Sequence, residues 1–258
     1  MSKKKKMSLG GLTVALLSAS VVLLAGSTVG SARAALTYYS ENYGAQVEVS
    51  KIGVSLEESN DKGKSYTKIS KRNYISNGKW DEATGDLLTG LKEEKIVPGK
   101  QYDEALKVTN SGSIDSYVRV ILKKSWTNKE GVKDTTLSPD LIDLNLNLKE
   151  GSGWVIDKNA STKERTILYY TGILPAGKST PALSDTLTID KSIATKVTQD
   201  VKEEDGYKTI TTTYAYDGYN FQLEAEADAV QTHNAQDAIK SAWGVDVDVD
   251  GNGNISLR

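Results

Sequence analysis

The chain consists largely of short segments in which apolar and polar residues alternate. Segment 142–149 reads IDLNLNLK, and segment 116–126 reads SYVRVILKKSW. Alternation with a period of two places one set of side chains on each face of a β-strand, whereas a helix would spread the same leucines around its circumference. Both segments are therefore predicted to be half-buried strands, with Val118, Val120 and Leu122 on the apolar face of the second.

The same kind of pattern predicts most of the remaining elements. Further strands are predicted over residues 45–56, 103–110, 154–157, 165–173, 183–189, 197–201, 207–216 and 219–232. The clear helix is Ala235–Trp243, with Asn234 as its N-cap and Gly244 at its end, and a second helical turn is predicted near residues 81–91. About ten strands and one short helix predict an all-β fold, an antiparallel jelly-roll-like β-sandwich with a short C-terminal helix.

Two stretches depart from this alternation. Residues 57–94 are polar and contain many turn-forming glycines and asparagines. This composition predicts an insertion or a long connection inside a single sandwich domain that covers residues 35–245. Residues 246–258 form an acidic tail rich in glycine and asparagine, which predicts either a solvated terminus or a short hairpin.

The first 34 residues have the layout of a secretory signal peptide. Four lysines at positions 3–6 precede an apolar run over residues 12–25, and Ala32, Arg33 and Ala34 supply small residues around a cleavage point. An uncleaved anchor is the alternative, but the run is shorter than the ~20 residues of a membrane span. We therefore predict cleavage after Ala34 by a signal peptidase and a secreted protein in the extracellular matrix or at the cell surface, with no membrane attachment afterwards.

Composition narrows the classes of function. Residues 1–34 hold five of the 32 basic residues and no acidic ones, so the remainder carries 27 basic against 34 acidic residues and a formal charge of −7. Such an acidic protein lacks electrostatic attraction to phosphate backbones, and we expect no nucleic-acid partner. The absence of cysteine excludes disulfides and thiolate zinc sites, and the single histidine, His233, excludes a two-histidine metal site within the chain.

Several short motifs occur in an order that is found in one known family. The lysine-led signal peptide runs into ALTYYS at residues 35–40, IVPGK at 96–100 precedes LKVTNSGS at 106–113 and YVRV at 117–120, and residues 225–244 form a closing strand and helix that end in Ala-Trp-Gly. This order resembles the camelysin/TasA family of secreted Firmicutes proteins. The resemblance implies a jelly-roll fold, export, and a structural role at the cell surface or in a biofilm matrix. It also implies self-association or contact with other matrix or surface proteins.

Some members of that family form fibres, and the resemblance implies that the N-terminal segment of one copy adds as a strand to the next copy. An open sheet edge carries unpaired N–H and C=O groups that a second extended chain can bond. Here the candidate donor is segment 35–47, and its candidate contact residues are Ala35, Leu36, Tyr38, Tyr39, Tyr43 and Val47. The alternatives are a frayed terminus and a strand that pairs within its own copy.

Other family members are described as metalloendopeptidases, so a secreted metalloendopeptidase is the alternative function. That chemistry needs three protein ligands and an open position on the metal. The chain lacks an HExxH motif and offers only His233, with Glu224, Glu226 or Asp228 as conceivable partners. We therefore expect no enzymatic activity and assign no catalytic residue.

The acidic tail carries a local motif, DVDVDGNGNIS, over residues 246–256. When it is aligned from Asp248, oxygen-bearing side chains fall at positions 1, 3 and 5 of a calcium-binding EF-hand loop, and Gly253 falls at the turn position. Position 12, which holds a bidentate acid, would lie beyond residue 258, so only weak binding is expected. No cofactor is expected apart from Ca²⁺, and its candidate ligands are Asp246, Asp248, Asp250, Asn252 and Asn254.

Overall fold

The computed structural model describes residues 51–91, 94–204 and 207–258. The predictions of a signal peptide and of a donor segment fall on residues outside these ranges. Strands account for 48% of the described residues and helices for 10%, including the 3₁₀ helices Thr89–Leu91, Pro139–Leu141 and Lys191–Thr195, so the fold is all-β. In the described ranges, the regular elements are β1 (Gly53–Ser59), β2 (Thr67–Ser76), β3 (Lys79–Thr84), β4 (Gln101–Asp103), β5 (Ala105–Thr109), β6 (Ser116–Thr127), β7 (Lys133–Asp134), β8 (Ile142–Leu146), β9 (Trp154–Ile156), β10 (Arg165–Tyr170), β11 (Ser184–Ile189), β12 (Val197–Glu204), β13 (Tyr207–Tyr214), β14 (Asn220–Gln231), α1 (Ala235–Trp243), β15 (Val247–Val249) and β16 (Ile255–Leu257).

Antiparallel sheets make up the sandwich. The first layer has the order β3-β2-β1-β5, and the second has the order β14-β6-β10-β9 with β7 paired to the end of β6. A three-stranded sheet in the order β4-β11-β8 completes the walls of the core. The core-facing strands of these sheets alternate apolar and polar residues, because one face of each is buried and the other faces water.

The main core lies between these sheets. Val54 and Leu56 from β1 meet Val118 and Val120 from β6, and all four are at most 3% exposed. Burying an aliphatic side chain of this size contributes about 1.5–3 kcal/mol relative to leaving it in water. Ile189 on β11 joins the same cluster and is 1% exposed. The prediction of an all-β antiparallel sandwich with a short C-terminal helix is confirmed.

A second, smaller cluster covers the outer face of the β14-β6-β10-β9 sheet. Tyr117 and Tyr169 point outward from β6 and β10, and Ile239 of α1 packs with them at 0% exposure. Val247 and Ile255 on the hairpin formed by β15 and β16 complete this layer. The acidic tail therefore packs against the sheet through Val247 and Ile255, the buried side chains of its hairpin.

The two ends of α1 compare differently with the prediction. Gly244 adopts φ 73° and donates its N–H to the carbonyl of Lys240, as expected of a helix C-cap. Asn234 occupies the predicted N-cap position, but it is left-handed, with φ 49°, and its side chain makes no capping hydrogen bond. The helical turn predicted near residues 81–91 is largely wrong, because Lys79–Thr84 is a strand and only Thr89–Leu91 forms a 3₁₀ turn.

Two hairpins consist mostly of exposed residues. β2 and β3 are joined by Asn77 and Gly78, both with positive φ, as a two-residue hairpin turn requires. β12 and β13 pair with each other along their whole length and with no other strand in the described ranges. Among the described residues, no helix has the length and apolar character needed to cross a membrane.

Candidate functional site

β14 is a long edge strand of the second layer. All twelve of its residues pair with β6, from Asn220 opposite Thr127 to Gln231 opposite Ser116. Within residues 51–91, 94–204 and 207–258, no strand pairs with its other side. A free edge of this length exposes a row of backbone N–H and C=O groups that a further strand can bond.

The antiparallel register identifies which groups of β14 face this free edge. Ser116 exchanges both backbone hydrogen bonds with Leu174, on the β10 side of β6, at 2.8 and 3.1 Å. Bonding directions alternate along an antiparallel strand, so Tyr117 and every second residue after it bond β14 instead. Their partners on β14 are the even-numbered residues. The N–H and C=O groups of the odd-numbered residues, such as Ala225 and Ala227, therefore point to the free edge.

A groove runs along this edge, between β14 and the first layer. Three adjoining cavities of about 470, 420 and 340 Å³ form it. The first two share Ser70 and Ala225, and the last two share Arg72 and Glu226. The groove therefore follows the strand for most of its length.

Small side chains on β14 leave this groove open. Ala225, Ala227 and Ala229 follow Phe221 and Leu223 on the face toward the core. The side chain of alanine is a single methyl group. The second half of β14 therefore fills less of the space between the sheets than the first half, where Phe221 and Leu223 lie. The space left is open to an added strand with larger side chains.

The opposite wall is the inner face of β2 and β3. Ser70 and Arg72 lie directly across from Leu56 and Val54 of β1, so they point to the same face as these core residues. Unlike them, Arg72 has a side chain that is 48% exposed, and Trp80 on β3 is 40% exposed. The inner face of β2 and β3 is therefore exposed to solvent beside the free edge of β14, because no strand of the second layer covers it there in the described ranges.

One end of the groove is fixed by a cluster of charged and aromatic side chains. Arg119 donates from Nε and Nη2 to one carboxylate oxygen of Asp228, at 3.1 and 2.5 Å, and Nη1 of Arg72 lies 3.7 Å from the other. The guanidinium of Arg119 also lies over the ring of Trp243, 5.2 Å from its centroid. Such charge-assisted and cation–π contacts hold β14 against α1 and β2.

The other end is closed by the connection after β3, which Glu58 holds in place. Glu58 is 2% exposed, and its carboxylate accepts the N–H of Leu88 at 2.5 Å as well as the N–H and hydroxyl of Thr89. Residues 85–88 of this connection line the groove. Loss of the Glu58 carboxylate would release the segment that forms this end.

Glu104 is buried beside Glu58. It is 0% exposed, and neither of its carboxyl oxygens has a hydrogen-bond partner among the described residues. Burial, and after it the negative charge of Glu58, raises the pKa of Glu104 to about 9. Glu104 therefore keeps its proton at neutral pH.

The structure places the five predicted calcium ligands on the β15–β16 hairpin. Asp246 accepts from Nζ of Lys240 at 2.7 Å, and Asp248 accepts from Nε of Arg258 at 2.9 Å. Asp250 accepts the backbone N–H groups of Asn252 and Asn254, each at 2.8 Å, and the side-chain amide of Asn254 at 2.9 Å. The carboxylates of the three aspartates therefore accept hydrogen bonds from separate protein donors, and calcium binding stays a prediction.

In the part of the chain that the structure describes, no three His, Cys, Asp or Glu side chains are grouped as metal ligands would be. His233 is exposed, between β14 and α1. Asp228, named as a conceivable partner of His233, is bonded to Arg119 instead.

The wall formed by β2 and β3 is not predicted by the sequence pattern. The polar composition of residues 57–94 predicts an insertion or a long connection, yet Thr67–Ser76 and Lys79–Thr84 are strands. The signal that could have revealed them is Asn77-Gly78 between Tyr74 and Trp80, since this dipeptide between strand-forming residues strongly favours a hairpin. Trp80 and Tyr74 are indeed paired across that hairpin, with ring centroids 5.2 Å apart.

No protein-family model, curated protein or solved structure matches the chain.

Proposed function

We propose that this protein is a secreted structural component of a cell surface or biofilm matrix, and that its copies join by strand addition. The segment 35–47 of one copy would lie along the free edge of β14 in the next copy. The observation that supports this proposal is the twelve-residue edge strand with a groove beside it. In such an assembly, two different surfaces of the protein meet at each contact between copies. Contacts of this head-to-tail kind produce an open filament whenever the rotation between successive copies does not close a ring.

The composition of segment 35–47 suits this role. Leu36, Tyr38 and Tyr39 have large side chains, whereas the groove is floored by the small Ala225 and Ala227. A strand laid beside β14 would place alternate side chains over these alanines and bond the odd-numbered backbone groups. Leu36 and Tyr38, which are two residues apart and share one face of a strand, would then fill the volume that the alanines leave.

Electron microscopy of the chain from residue 35 onward, compared with a chain that begins at Ala45, tests the role of the N-terminal segment. Filaments from the first and none from the second support the proposal. The same filaments from both, or none from either, would refute it. A peptide of residues 35–47 added to the shorter chain should bind it in a fluorescence titration and block filament growth of the longer chain.

A point variant tests the edge itself. Ala225→Pro removes an N–H that faces the free edge and bears no bond to β6, so it should block strand addition and leave the β6 ladder in place. Ala225→Ser is the matched control, since it keeps this N–H. Filaments that persist in Ala225→Pro with an unchanged melting temperature would rule out β14 as the acceptor. A monomeric parent chain that Ala225→Pro destabilises would show pairing within one copy instead.

A further inference from the structure

Asn77 and Gly78 form the exposed tip of the β2–β3 hairpin. Every residue in the range 75–80 is exposed. Both residues of the turn have positive φ, 51° for Asn77 and 73° for Gly78. Apart from its neighbours in the chain, no atom lies within 4 Å of the position that a side chain on Gly78 would take. The tip is therefore surrounded by solvent rather than by other described parts of the chain.

An asparagine that is followed by glycine can lose its side-chain amide without an enzyme. The backbone nitrogen of the glycine forms a bond to Cγ of the asparagine, the bond from Cγ to Nδ2 breaks, and ammonia leaves with the proton of that nitrogen. Water then opens the cyclic succinimide, which gives aspartate when the bond at Cγ breaks and isoaspartate when the bond at the main-chain carbonyl breaks. Glycine favours the first step because it has no side chain to block the approach and its backbone rotates freely.

The chain contains two Asn-Gly dipeptides, and the second one is held firmly by the fold. Gly253 donates its N–H to the carbonyl of Asp250 at 3.0 Å, and its own carbonyl accepts the hydroxyl of Tyr117 at 2.7 Å. A side chain at Gly253 would lie only 2.6 Å from Ile173. Because Tyr117 is 1% exposed, Gly253 cannot rotate toward the amide of Asn252 without breaking a contact with the buried layer.

At the hairpin tip, a side chain rather than the core holds the attacking nitrogen. The N–H of Gly78 donates to the hydroxyl of Tyr74 at 3.1 Å, in an exposed part of the chain. A segment with few buried contacts opens locally at a small cost in free energy. The rotation of Asn77 that brings Cγ to this nitrogen therefore requires little of the surrounding structure to move.

We propose that Asn77 is a site of spontaneous deamidation in the folded protein, and that the contacts of Gly253 protect Asn252 from the same reaction. This inference does not depend on the strand addition proposed above. The isoaspartate product would alter the hairpin, because it adds an atom to the main chain of a turn that is built from two residues with positive φ. Trp80 pairs with Tyr74 next to this turn and lines the groove, so the change would reach the groove wall.

A time course in warm, mildly alkaline buffer tests the proposal, because loss of the proton from the attacking nitrogen favours the reaction. The folded chain from residue 35 onward is incubated in isotopically labelled water, whose oxygen enters each product, and peptide mass spectrometry measures conversion at each asparagine. Conversion at Asn77 should exceed that at Asn252 by about tenfold or more, since a single hydrogen bond can change a local opening equilibrium by about that factor. In urea, where both dipeptides are unfolded, the two rates should become similar. Equal conversion in the folded chain, or faster conversion at Asn252, would overturn the proposal.

Two variants test the role of the fold at each site. Tyr117→Phe keeps the ring and removes the hydroxyl that holds Gly253, so conversion at Asn252 should rise severalfold while conversion at Asn77 stays the same. Asn77→Gly has no amide to lose and tolerates positive φ, so the product at the tip should vanish and conversion at Asn252 should not change. Unaltered conversion at Asn252 in a folded Tyr117→Phe chain would disprove the protection by Gly253.

Discussion

Replacing Glu104 with glutamine should stabilise this protein at neutral pH. Glu104 is fully buried, and both of its carboxyl oxygens lack hydrogen-bond partners among the described residues. Its neighbour Glu58 is fixed by Leu88 and Thr89, so the pair cannot separate without opening the end of the groove. A glutamine has nearly the shape of a protonated glutamate and carries no titrating proton.

The size of the effect follows from the pKa of Glu104, which burial and the charge of Glu58 raise from 4.5 to about 9. The folded state therefore binds more protons than the unfolded state between these two values, and its stability falls as the pH rises. Each pH unit between the two pKa values lowers the free energy of unfolding by about 1.36 kcal/mol. The cost of keeping Glu104 protonated therefore reaches about 3 kcal/mol at pH 7 and approaches about 6 kcal/mol near pH 9. Below pH 4.5 this contribution disappears.

Urea unfolding followed by tryptophan fluorescence between pH 5 and pH 9 measures this difference. Glu104→Gln should exceed the parent in free energy of unfolding by about 1 kcal/mol or less at pH 5 and by about 3 kcal/mol at pH 7. The exposed Glu150 supplies a control, Glu150→Gln, whose difference from the parent should not change with pH. Glu58→Gln should retain most of the slope, because burial is the larger cause of the shift. A difference between Glu104→Gln and the parent that is constant across this range would refute the reasoning.

Three further perturbations follow from the contacts. Ile239→Ala should lower the free energy of unfolding by about 3 kcal/mol in urea denaturation, because Ile239 is fully buried between α1 and the outer sheet face. Asp228→Asn should cost about 1–3 kcal/mol in the same assay, because the Arg119–Asp228 pair is mostly buried. Asp248→Asn should cost clearly less, because the Arg258–Asp248 pair is exposed to solvent, and equal costs would contradict this. Calcium binding by the tail predicts a calorimetric heat that disappears in Asp250→Ala, and identical heats would remove the tail from consideration.

The fold was largely predictable from alternation along the chain. β6 and β14 both show apolar residues at every second position, and the structure pairs them along their full length. A strand with one buried face reveals itself in this way because a shift of one residue would expose the whole apolar set. Gly244 was equally informative, since a helix end favours a residue that tolerates positive φ.

The strands that line the candidate site were harder to recognise. β2 and β3 are mostly exposed, so water rather than the core surrounds many of their side chains, and their sequence is polar. The hydrophobic pattern cannot mark a strand that lacks a buried face. Their pairing depends instead on the turn at residues 77–78 and on register with β1, which is a long-range property.

The alanines of β14 illustrate the limit of the pattern most clearly. Ala225, Ala227 and Ala229 occupy core-facing positions, which is compatible with either a tightly packed interface or a face that another element covers. Only the three-dimensional arrangement distinguishes these cases, because it shows a groove of several hundred Å³ beside the same residues.

A large residue at position 227 would test whether the groove is vacant. Ala227→Leu should be tolerated if the groove is vacant, and it should prevent strand addition because the leucine side chain would occupy the space of the added strand. An unchanged affinity for the 35–47 peptide in Ala227→Leu would mean that the added strand does not lie over these alanines.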